Sequence, residues 1–449
     1  MKANFIYSNL NPCGGGERFT LVTMNAAAEM GIEVDLTTLE NPNLSKLENA
    51  FGTDLTAIMK RIRKINVLQM LDQKSIDSNI TDNNYDIIIN THGDIDPYYS
   101  PKLSNTITIT YCHYPLAKLF IENEDSNYFE YHLKVNRIHT TSSSSSSPLK
   151  SNTESVISTD PPLSYYSSSY NNQTDSRSPI SSLSKLNYYT KWVKETYEKM
   201  IRNSILITNS QYSKKAIMEA YGIDDTIILS PPVPVDDIRS SFGFSSNSNI
   251  SSKPRENLVL VISRIEPHKR IENAIYLAKI LKKKKIEAKM IIVGSWDPFY
   301  HKYYEKLKRL IIDNEVSDII SFKISASFDE LIGIMKKSKV YFHSREGEHF
   351  GISIVEAMSA GLIPVVPSIG GQTEFVPTIY QYDSLEQASQ LVASALDVAD
   401  EERQRISDSV KRFSEINYKR QFQLLICKLI YNVNIDQQYN FPNFPTVNQ

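Results

Sequence analysis

The sequence predicts an α/β protein made of two lobes, each built around a parallel sheet. Short β-rich runs alternate with helical stretches along most of the chain, a pattern typical of parallel strands with helices on both faces. The alternation stops near Pro231-Pro232 and a polar stretch at 240–252, and it restarts at Leu258. The length of 449 residues allows two or three domains.

We therefore expect an N-terminal lobe over residues 1–232, a C-terminal lobe over 233–415, and a C-terminal helix and tail over 416–449 that pack back on the first lobe. The chain is 41% hydrophobic and 22% charged, which is enough apolar material for two cores. Its formal charge of −2 gives no overall attraction to nucleic acid, so none is expected as a partner.

Three cysteines cannot form a disulfide framework, and they favour a reducing, cytoplasmic compartment. The N-terminal apolar stretch is too short for a signal peptide, and no apolar run is long enough to span a bilayer. We expect a soluble protein, or one that contacts the cytoplasmic face of a membrane without crossing it.

The first lobe opens with the order strand, glycine loop, helix that begins a βαβ unit. The strand is Ala3–Tyr7, the loop contains GGGER, and the helix follows from Phe19. Four later runs in this lobe are predicted as strands: Glu33–Thr38, Asp86–Asn90, Thr106–Thr110 and Leu206–Asn209. Residues 140–184 are rich in Ser, Asn, Thr and Pro, so we expect a disordered surface insertion there.

The second lobe repeats the alternation. Its predicted strands are the runs LVLVIS, MIIVG, IISF, VYFHS and IPVVP, each followed by a helical stretch. The last long helical stretch is predicted from about Glu401 to Tyr431.

The densest chemical signal is the segment from Ser344 to Glu374. Glu348 and Glu356 lie in it, and a helix is predicted to begin at about Phe350. Phe350, Gly351 and Ile352 are expected to contact the substrate there. The free N–H groups of Gly351 and Ile352, together with that of Ser353, would then face a crevice where an anion is stabilised. A carboxylate beside such a site can accept hydrogen bonds from sugar hydroxyls. Two glutamates at this spacing also occur by chance on exposed helices.

A second signal is SRIEPHKR, which follows the first strand of the second lobe. Arg264 and Lys269 should lie at the same edge of the sheet as Glu348, where a guanidinium and an ammonium suit a diphosphate. The alternative is a pair of surface cations on a loop.

Two signals come from the first lobe. Gly15 and Gly16 follow a strand, so the backbone there can approach a phosphate closely, although a plain tight turn is an equal alternative. His113 follows the strand of TYCHYP, and a single histidine in this position is more often structural than catalytic.

Two further features carry less weight. Asp94 and Asp96 form a DxD pair of the kind that holds Mg²⁺, but they lie far in sequence from the phosphate-type residues, so no metal site is expected. The basic amphipathic stretch at 60–68, with the aromatic and basic stretch at 188–194, could lie as helices against an anionic membrane surface. Ordinary helices of the fold are at least as good an interpretation.

Taken in order, these motifs resemble those of the family 4 retaining glycosyltransferases of the GT-B fold. The resemblance rests on GGGER, CHYP, NSQYSKKAI with SPPV, SRIEPHKR, and EHFGISIVEAMSAG with a later GG. Within the family, GGGER with YCHYP and EHFGI is most similar to the mannosyltransferases that add α-1,2-linked mannose to a dolichol-linked oligosaccharide. The resemblance implies two Rossmann-like lobes whose sheets face each other across a cleft.

The resemblance also implies roles for residues. Arg264 and Lys269 would bind the diphosphate of a nucleotide sugar. Glu348 would bind hydroxyls of the donor sugar, and Glu356 would bind the ribose hydroxyls. His113 would reach the donor sugar or the reacting centre, and the two first-lobe glycines would approach the diphosphate from the opposite lobe. No metal ion or other cofactor would be required.

The implied partners are a nucleotide-sugar donor, GDP-mannose foremost, and a glycan or polyprenyl-linked acceptor. Two other functions stay open at this point: an inactive nucleotide-sugar-binding subunit of a transferase complex, and a sugar-nucleotide epimerase or hydrolase of the same fold. A Rossmann dehydrogenase is disfavoured, because neither lobe opens with GxGxxG and a following acidic residue.

Overall fold

The computed structural model describes residues 1–52, 54–65, 84–93, 106–115, 118, 198, 201–244, 254–295 and 300–431. The predicted Ser-rich insertion, the DxD pair at 94–96 and the aromatic stretch at 188–194 lie outside the described residues. Within the described part of the chain, no helix is both long and apolar enough to cross a bilayer.

The first sheet has seven strands in the order β3-β2-β1-β4-β5-β6-β7, and their pairings are parallel. The strands are β1 Lys2–Ile6, β2 Glu33–Thr38, β3 Met59–Lys64, β4 Ile87–Asn90, β5 Ile107–Tyr111, β6 Ile205–Thr208 and β7 Ile227–Ile228. Phe5 in β1 lies opposite Ile89 in β4. Both side chains are buried, as expected for central strands covered on both faces.

The second sheet has six strands in the order β10-β9-β8-β11-β12-β13, again with parallel pairings. The strands are β8 Leu258–Ile262, β9 Lys289–Gly294, β10 Ile320–Ile324, β11 Val340–Phe342, β12 Ile363–Pro367 and β13 Gln381–Tyr382. Strand β11 lies between β8 and β12 at the point where the strand order reverses, which is where open α/β sheets bind ligands.

Helices cover both sheets, and the buried apolar side chains form two separate cores, one for each sheet. The α-helices are Gly15–Glu29, Leu44–Phe51, Leu55–Ile58, Gln211–Tyr221, Val235–Ser241, Glu272–Lys283, His301–Asp313, Phe328–Lys337, Ile352–Ser359, Leu385–Leu396, Asp400–Ser409 and Glu415–Tyr431.

The predicted long helix from about Glu401 is broken into two. A 3₁₀ turn at Lys411–Phe413 separates its halves, because the chain crosses between the sheets there. Val233, in the other connecting segment, donates its N–H to the carbonyl of Phe413 at 3.0 Å. Two neighbouring chain segments therefore connect the lobes.

The helix Glu415–Tyr431 packs on the core of the first sheet. Its buried side chains Tyr418, Phe422 and Ile426 belong to that core, and the Tyr418 hydroxyl lies 2.7 Å from Thr23 Oγ1. The last described helix is thus part of the N-terminal lobe, although it follows the C-terminal lobe in sequence.

The basic stretch from Lys60 does not form the helix that the sequence indicated. Among the described strands it is the edge strand β3, paired in parallel with β2. Its outward side chains include Lys60, Arg61 and Lys64, which are exposed. Charged residues are typical of edge strands because they discourage pairing with another chain.

Candidate functional site

Glu348 lies in the loop that follows strand β11, at the carboxyl edge of the second sheet. Its Oε2 atom is 3.2 Å from Lys269 Nζ, 3.5 Å from His343 Nε2 and 3.8 Å from Arg345 Nη1. Its side chain is only 13% exposed. Burial by itself would raise the pKa of this carboxyl, but Lys269, His343 and Arg345 together hold it well below its ordinary value. Glu348 is therefore ionised and acts only as a hydrogen-bond acceptor.

A second loop fixes the backbone of Glu348. Gly371 donates its N–H to the Glu348 carbonyl at 2.7 Å, and Gly370 is paired with Glu348 in a short bridge. A Cβ atom on Gly371 would lie 2.0 Å from the carbonyl oxygen of His349. Glycine is needed at this position because the two loops touch backbone to backbone.

Lys269 ends the 3₁₀ turn Pro267–Lys269 beyond strand β8, and Ser344 Oγ donates to its carbonyl at 2.8 Å. The two residues that the sequence placed at one sheet edge, Lys269 and Glu348, are thus in direct contact. Arg264 stands apart from that pair: its side chain is 64% exposed and lies 3.1 Å from Glu266 Oε1.

Glu266 immediately precedes this turn, and its side chain is buried. Its carboxylate also lies 3.1 Å from His268 Nε2. Burial would raise the pKa of Glu266, but His268 and the cations Arg264 and Lys269 lower it to about 2. Arg264 is thus largely exposed before the turn, whereas Lys269 at its end is mostly buried against Glu348.

The glycine loop of the first lobe faces this site. The helix Gly15–Glu29 begins there, and Glu17 folds back so that its Oε2 accepts the Gly14 N–H at 2.6 Å. A Cβ atom on Gly15 would lie 2.7 Å from Ile352 Cδ1, in the first turn of the helix Ile352–Ser359. The N-terminal ends of two helices, one from each lobe, therefore meet at the cleft, and both favour negative charge there.

Glu356 lies in the second turn of the helix Ile352–Ser359. Burial raises its pKa to about 7, although Arg18 from the opposite lobe lowers it in part. Arg18 is held in place by Glu415, whose Oε1 is 2.7 Å from its Nη1. Near neutral pH the Glu356 carboxyl group is therefore poised between donating and accepting a hydrogen bond.

His113 is oriented by its backbone partner. Its Nε2 lies 3.1 Å from the Thr91 carbonyl, which can only accept, so Nε2 carries the proton. Burial lowers the pKa of His113 to about 4, and its ring packs edge-on against Phe19 and Tyr111. These contacts favour a neutral, structural histidine over a proton-transfer group.

Phe350 was predicted to touch substrate, and its side chain does not line the cleft. It is 5% exposed and packs on Phe375 and Phe413 in the core of the second sheet. The helix begins at Ile352, two residues later than predicted, with Gly351 before it at a φ of 102°. Phe350 therefore supports the loop from the core side.

The sequence reasoning missed the contacts that hold the two lobes against each other. Ser210 Oγ donates to the His349 carbonyl at 2.7 Å, and the Tyr114 ring stacks on His349 with ring centroids 4.0 Å apart. Glu374 accepts the N–H groups of Gln211 and Tyr212 at 3.0 and 2.8 Å, which caps a first-lobe helix with a second-lobe carboxylate. Each of these residues lies inside a motif already recognised, but the spacing gave no signal for its role.

Arg345 and His343 were also missed. Both precede Glu348 in the run HSREGE, and only the end of strand β11 brings them beside it. Among the described residues, no group of three or more His, Cys, Asp or Glu side chains is placed to hold a metal ion.

Residues 245–412 match the family described as glycosyl transferases group 1. The GDP-Man:Man(3)GlcNAc(2)-PP-Dol alpha-1,2-mannosyltransferase of Dictyostelium discoideum is 27% identical over 297 residues, which cover 61% of this chain and 58% of that protein. The protein of the same name from Homo sapiens is 25% identical over 252 residues, covering 51% of this chain and 49% of that protein. The chain spans about half the length of the curated relatives it matches.

The solved structure of a glycosyltransferase from Rickettsia africae ESF-5 superposes with a TM-score of 0.63 at 14% identity, covering 96% of this chain and 99% of that one. The two sheets of parallel strands and these neighbours establish the predicted GT-B fold. The chain contains a glycosyl transferase group 1 domain within that fold.

The close approach at Gly371 can be tested by substitution. Gly371→Ala should lower the free energy of unfolding by about 1–3 kcal/mol, because its Cβ would force apart the two loops that hold Glu348. Gly333→Ala is the matched control: nothing lies within 4 Å of its added Cβ, and it sits inside a helix. Urea unfolding of both variants measures the difference. Equal stability of the two would contradict the packing described.

The raised pKa of Glu356 predicts a pH-dependent stability. A carboxyl whose folded pKa of about 7 exceeds its ordinary value of 4.5 stabilises the fold when protonated, and this contribution is lost as the pH rises through 7. Glu356→Gln keeps the neutral form, so its melting temperature should match that of the parent at pH 4.5 and exceed it at pH 8.

The exposed residue Glu287 provides the control for that measurement. Glu287→Gln should change the melting temperature little at either pH. If the difference between Glu356→Gln and the parent were the same at both pH values, the buried carboxyl would have an ordinary pKa.

Proposed function

We propose that this chain is a retaining glycosyltransferase that moves mannose from GDP-mannose to a hydroxyl group of a lipid-linked glycan. The observation that carries the proposal is the partly buried ion pair Lys269–Glu348 beside the start of the helix Ile352–Ser359, with the glycine loop of the other lobe facing it. The choice of donor and acceptor is supported by the names of the curated relatives.

Departure of the nucleoside diphosphate is the step that needs stabilisation. As the anomeric bond breaks, the sugar becomes oxocarbenium-like and negative charge grows on the leaving diphosphate. Arg264, Lys269 and the amides at the two facing helix ends would interact more strongly with that charge than with the intact donor. The proposal assigns this role to fixed protein charges and requires no divalent ion.

The two glutamates are assigned to different parts of the donor. Glu348, ionised and held between cations, would accept hydrogen bonds from hydroxyls of the sugar. Glu356, in the second turn of the helix Ile352–Ser359, would bind the ribose hydroxyls. The acceptor oxygen would enter on the side of the leaving group and give its proton to a phosphate oxygen, so no separate base is assigned.

The donor can be identified by thermal shift. A ligand that binds only the folded protein raises its melting temperature. With GDP-, UDP- and ADP-sugars tested side by side, GDP-mannose should give the largest shift, followed by GDP. Transfer is then assayed with a lipid-linked glycan. Binding without turnover across acceptors would indicate an inactive binding subunit, and release of free sugar or an epimer would indicate a hydrolase or epimerase.

The roles of Lys269 and Glu348 can be separated by variants. Losing one charged phosphate contact costs about 1.5–3 kcal/mol, so Lys269→Ala should lower kcat/KM about 10- to 150-fold. Glu348→Gln should lower transfer strongly while GDP binding survives. Exposed Lys279 supplies the control, as Lys279→Ala should leave both quantities unchanged. Unchanged turnover in folded Lys269→Ala would remove the role assigned to it, and loss of GDP binding in Glu348→Gln would move that residue to nucleotide recognition.

We further propose a peripheral membrane contact through strand β3, since a lipid-linked acceptor lies at a bilayer. The strand exposes Lys60, Arg61 and Lys64, and Ile62 beside them is 37% exposed. Basic groups near an anionic surface each contribute about 1 kcal/mol of attraction.

Cosedimentation with phosphatidylglycerol vesicles at low salt tests this contact. The double variant Lys60→Ala/Arg61→Ala should bind several-fold more weakly than the parent, because two charges are lost from the contact. The exposed pair Lys279→Ala/Lys302→Ala on the other lobe serves as a charge-matched control and should bind as the parent does. Equal weakening in both variants would indicate general charge attraction and contradict a contact through β3.

A further inference from the structure

Behind Glu348 a line of buried polar side chains runs from strand β11 to the helix Ile352–Ser359. Tyr341 Oη lies 2.9 Å from Ser353 Oγ and 3.2 Å from His343 Nδ1. His343 Nε2 lies 3.5 Å from Glu348 Oε2. Tyr341 and His343 are almost fully buried, and neither they nor Ser353 is assigned to phosphate binding.

The direction of the hydrogen bonds in this line follows from chemistry. Burial raises the pKa of Tyr341 well above its ordinary value, so its hydroxyl keeps its single proton. Burial also lowers the pKa of His343, although the Glu348 carboxylate opposes this, so the ring is neutral with one N–H. Glu348 is ionised and can only accept.

Only one arrangement satisfies these groups together. If Tyr341 donated its proton to Ser353, its oxygen could only accept a hydrogen bond from His343, so the histidine proton would have to be on Nδ1. The unprotonated Nε2 would then face the carboxylate of Glu348, which is unfavourable. If instead Ser353 donates to Tyr341 and Tyr341 donates to Nδ1, the Nε2–H of His343 points at Glu348. At 3.5 Å from Glu348 Oε2, the buried Nε2 makes no hydrogen bond within the described residues, and long contacts of this kind often tighten when substrate binds.

Glu348 has two positively charged neighbours besides His343. Lys269 and Arg345 both lie within 4 Å of the same carboxylate oxygen. His343 adds a neutral donor to these two charged neighbours.

We propose that His343 is a positioning residue for sugar transfer: backed by Tyr341 and Ser353, its Nε2–H fixes the carboxylate of Glu348 toward the donor sugar. This inference rests on the proposed function. It predicts that the loss of His343 affects recognition of the sugar and leaves the binding of the nucleoside diphosphate intact.

The test compares His343→Ala with His343→Gln in the full chain. A displaced positioning group can cost up to about 100-fold in rate, so His343→Ala should lower kcat by about 10- to 100-fold while the Kd for GDP changes less than about twofold. The side-chain amide of His343→Gln can place an N–H near the position of Nε2, so this variant should recover most of kcat. Loss of kcat to the same extent in both variants, or a kcat for His343→Ala within about twofold of the parent, would overturn the proposal.

A second measurement does not depend on turnover. Nitrogen NMR of the histidine side chains, with the His343 signals assigned by their absence in His343→Gln, should show the proton on Nε2 at pH 7. A proton on Nδ1 would overturn the line of hydrogen bonds even in an active enzyme. If the parent protein transfers no sugar but His343 carries its proton on Nε2, the proposed function fails and the hydrogen-bond arrangement stands.

Discussion

The ion pair between Glu348 and Lys269 is the interaction on which the site depends. Both groups are largely withdrawn from water, so each would be costly to leave without a partner. Their loops follow the two neighbouring strands β8 and β11. The reversal of strand order between β8 and β11 creates the crevice, and the ion pair lies in this crevice.

The surrounding backbone is arranged to hold this pair. Ser344 bonds the carbonyl of Lys269, and Gly371 bonds the carbonyl of Glu348, so both charged residues are fixed through their main chains. The two side chains differ in the hydrogen bonds that they can make to a ligand. Lys269 can share its three N–H donors between Glu348 and an incoming phosphate, whereas Glu348 can only accept. This asymmetry gives one pair of residues two distinct functions.

The two lobes meet through the same loop that carries Glu348. His349, next in sequence, accepts a hydrogen bond from Ser210 and stacks on Tyr114, while Glu374 caps the helix that begins at Gln211. A change in the relative position of the lobes would therefore pull directly on the residue beside Glu348. Because Glu348 and His349 are adjacent, the relative position of the lobes and the position of Glu348 depend on each other.

Much of the fold could be predicted from the sequence because buried parallel strands have a strong local signature. The central isoleucines of DIIIN and the run IPVVP are continuously apolar, and the polar residues that follow them mark the binding edge of the sheet. For this reason the sequence could place Glu348 and Lys269 at one edge of the sheet, where the structure brings them into contact. The stretch from Lys60 was misread because an edge strand whose middle residues are mostly basic and exposed has no alternating apolar face to reveal its period.

The parts of the site that were not predicted depend on tertiary register. His343 is a single histidine after a strand, and only the packing of strand β11 against the helix Ile352–Ser359 places Tyr341 and Ser353 behind it. Phe350 was misassigned because an aromatic residue before a helix can face either the cleft or the core. Its contact with Phe375 and Phe413, which lie far along the chain, decides between them.

The central claim is that fixed protein cations and helix ends, without a divalent ion, neutralise the leaving diphosphate in the cleft. Titration calorimetry of GDP into the chelator-treated protein tests it most directly, with Lys269→Ala titrated in parallel. The account predicts saturable binding with EDTA present, an unchanged Kd after Mg²⁺ or Mn²⁺ is restored, and much weaker binding to Lys269→Ala. Binding that appeared only with the added metal ion and was indifferent to Lys269→Ala would contradict it.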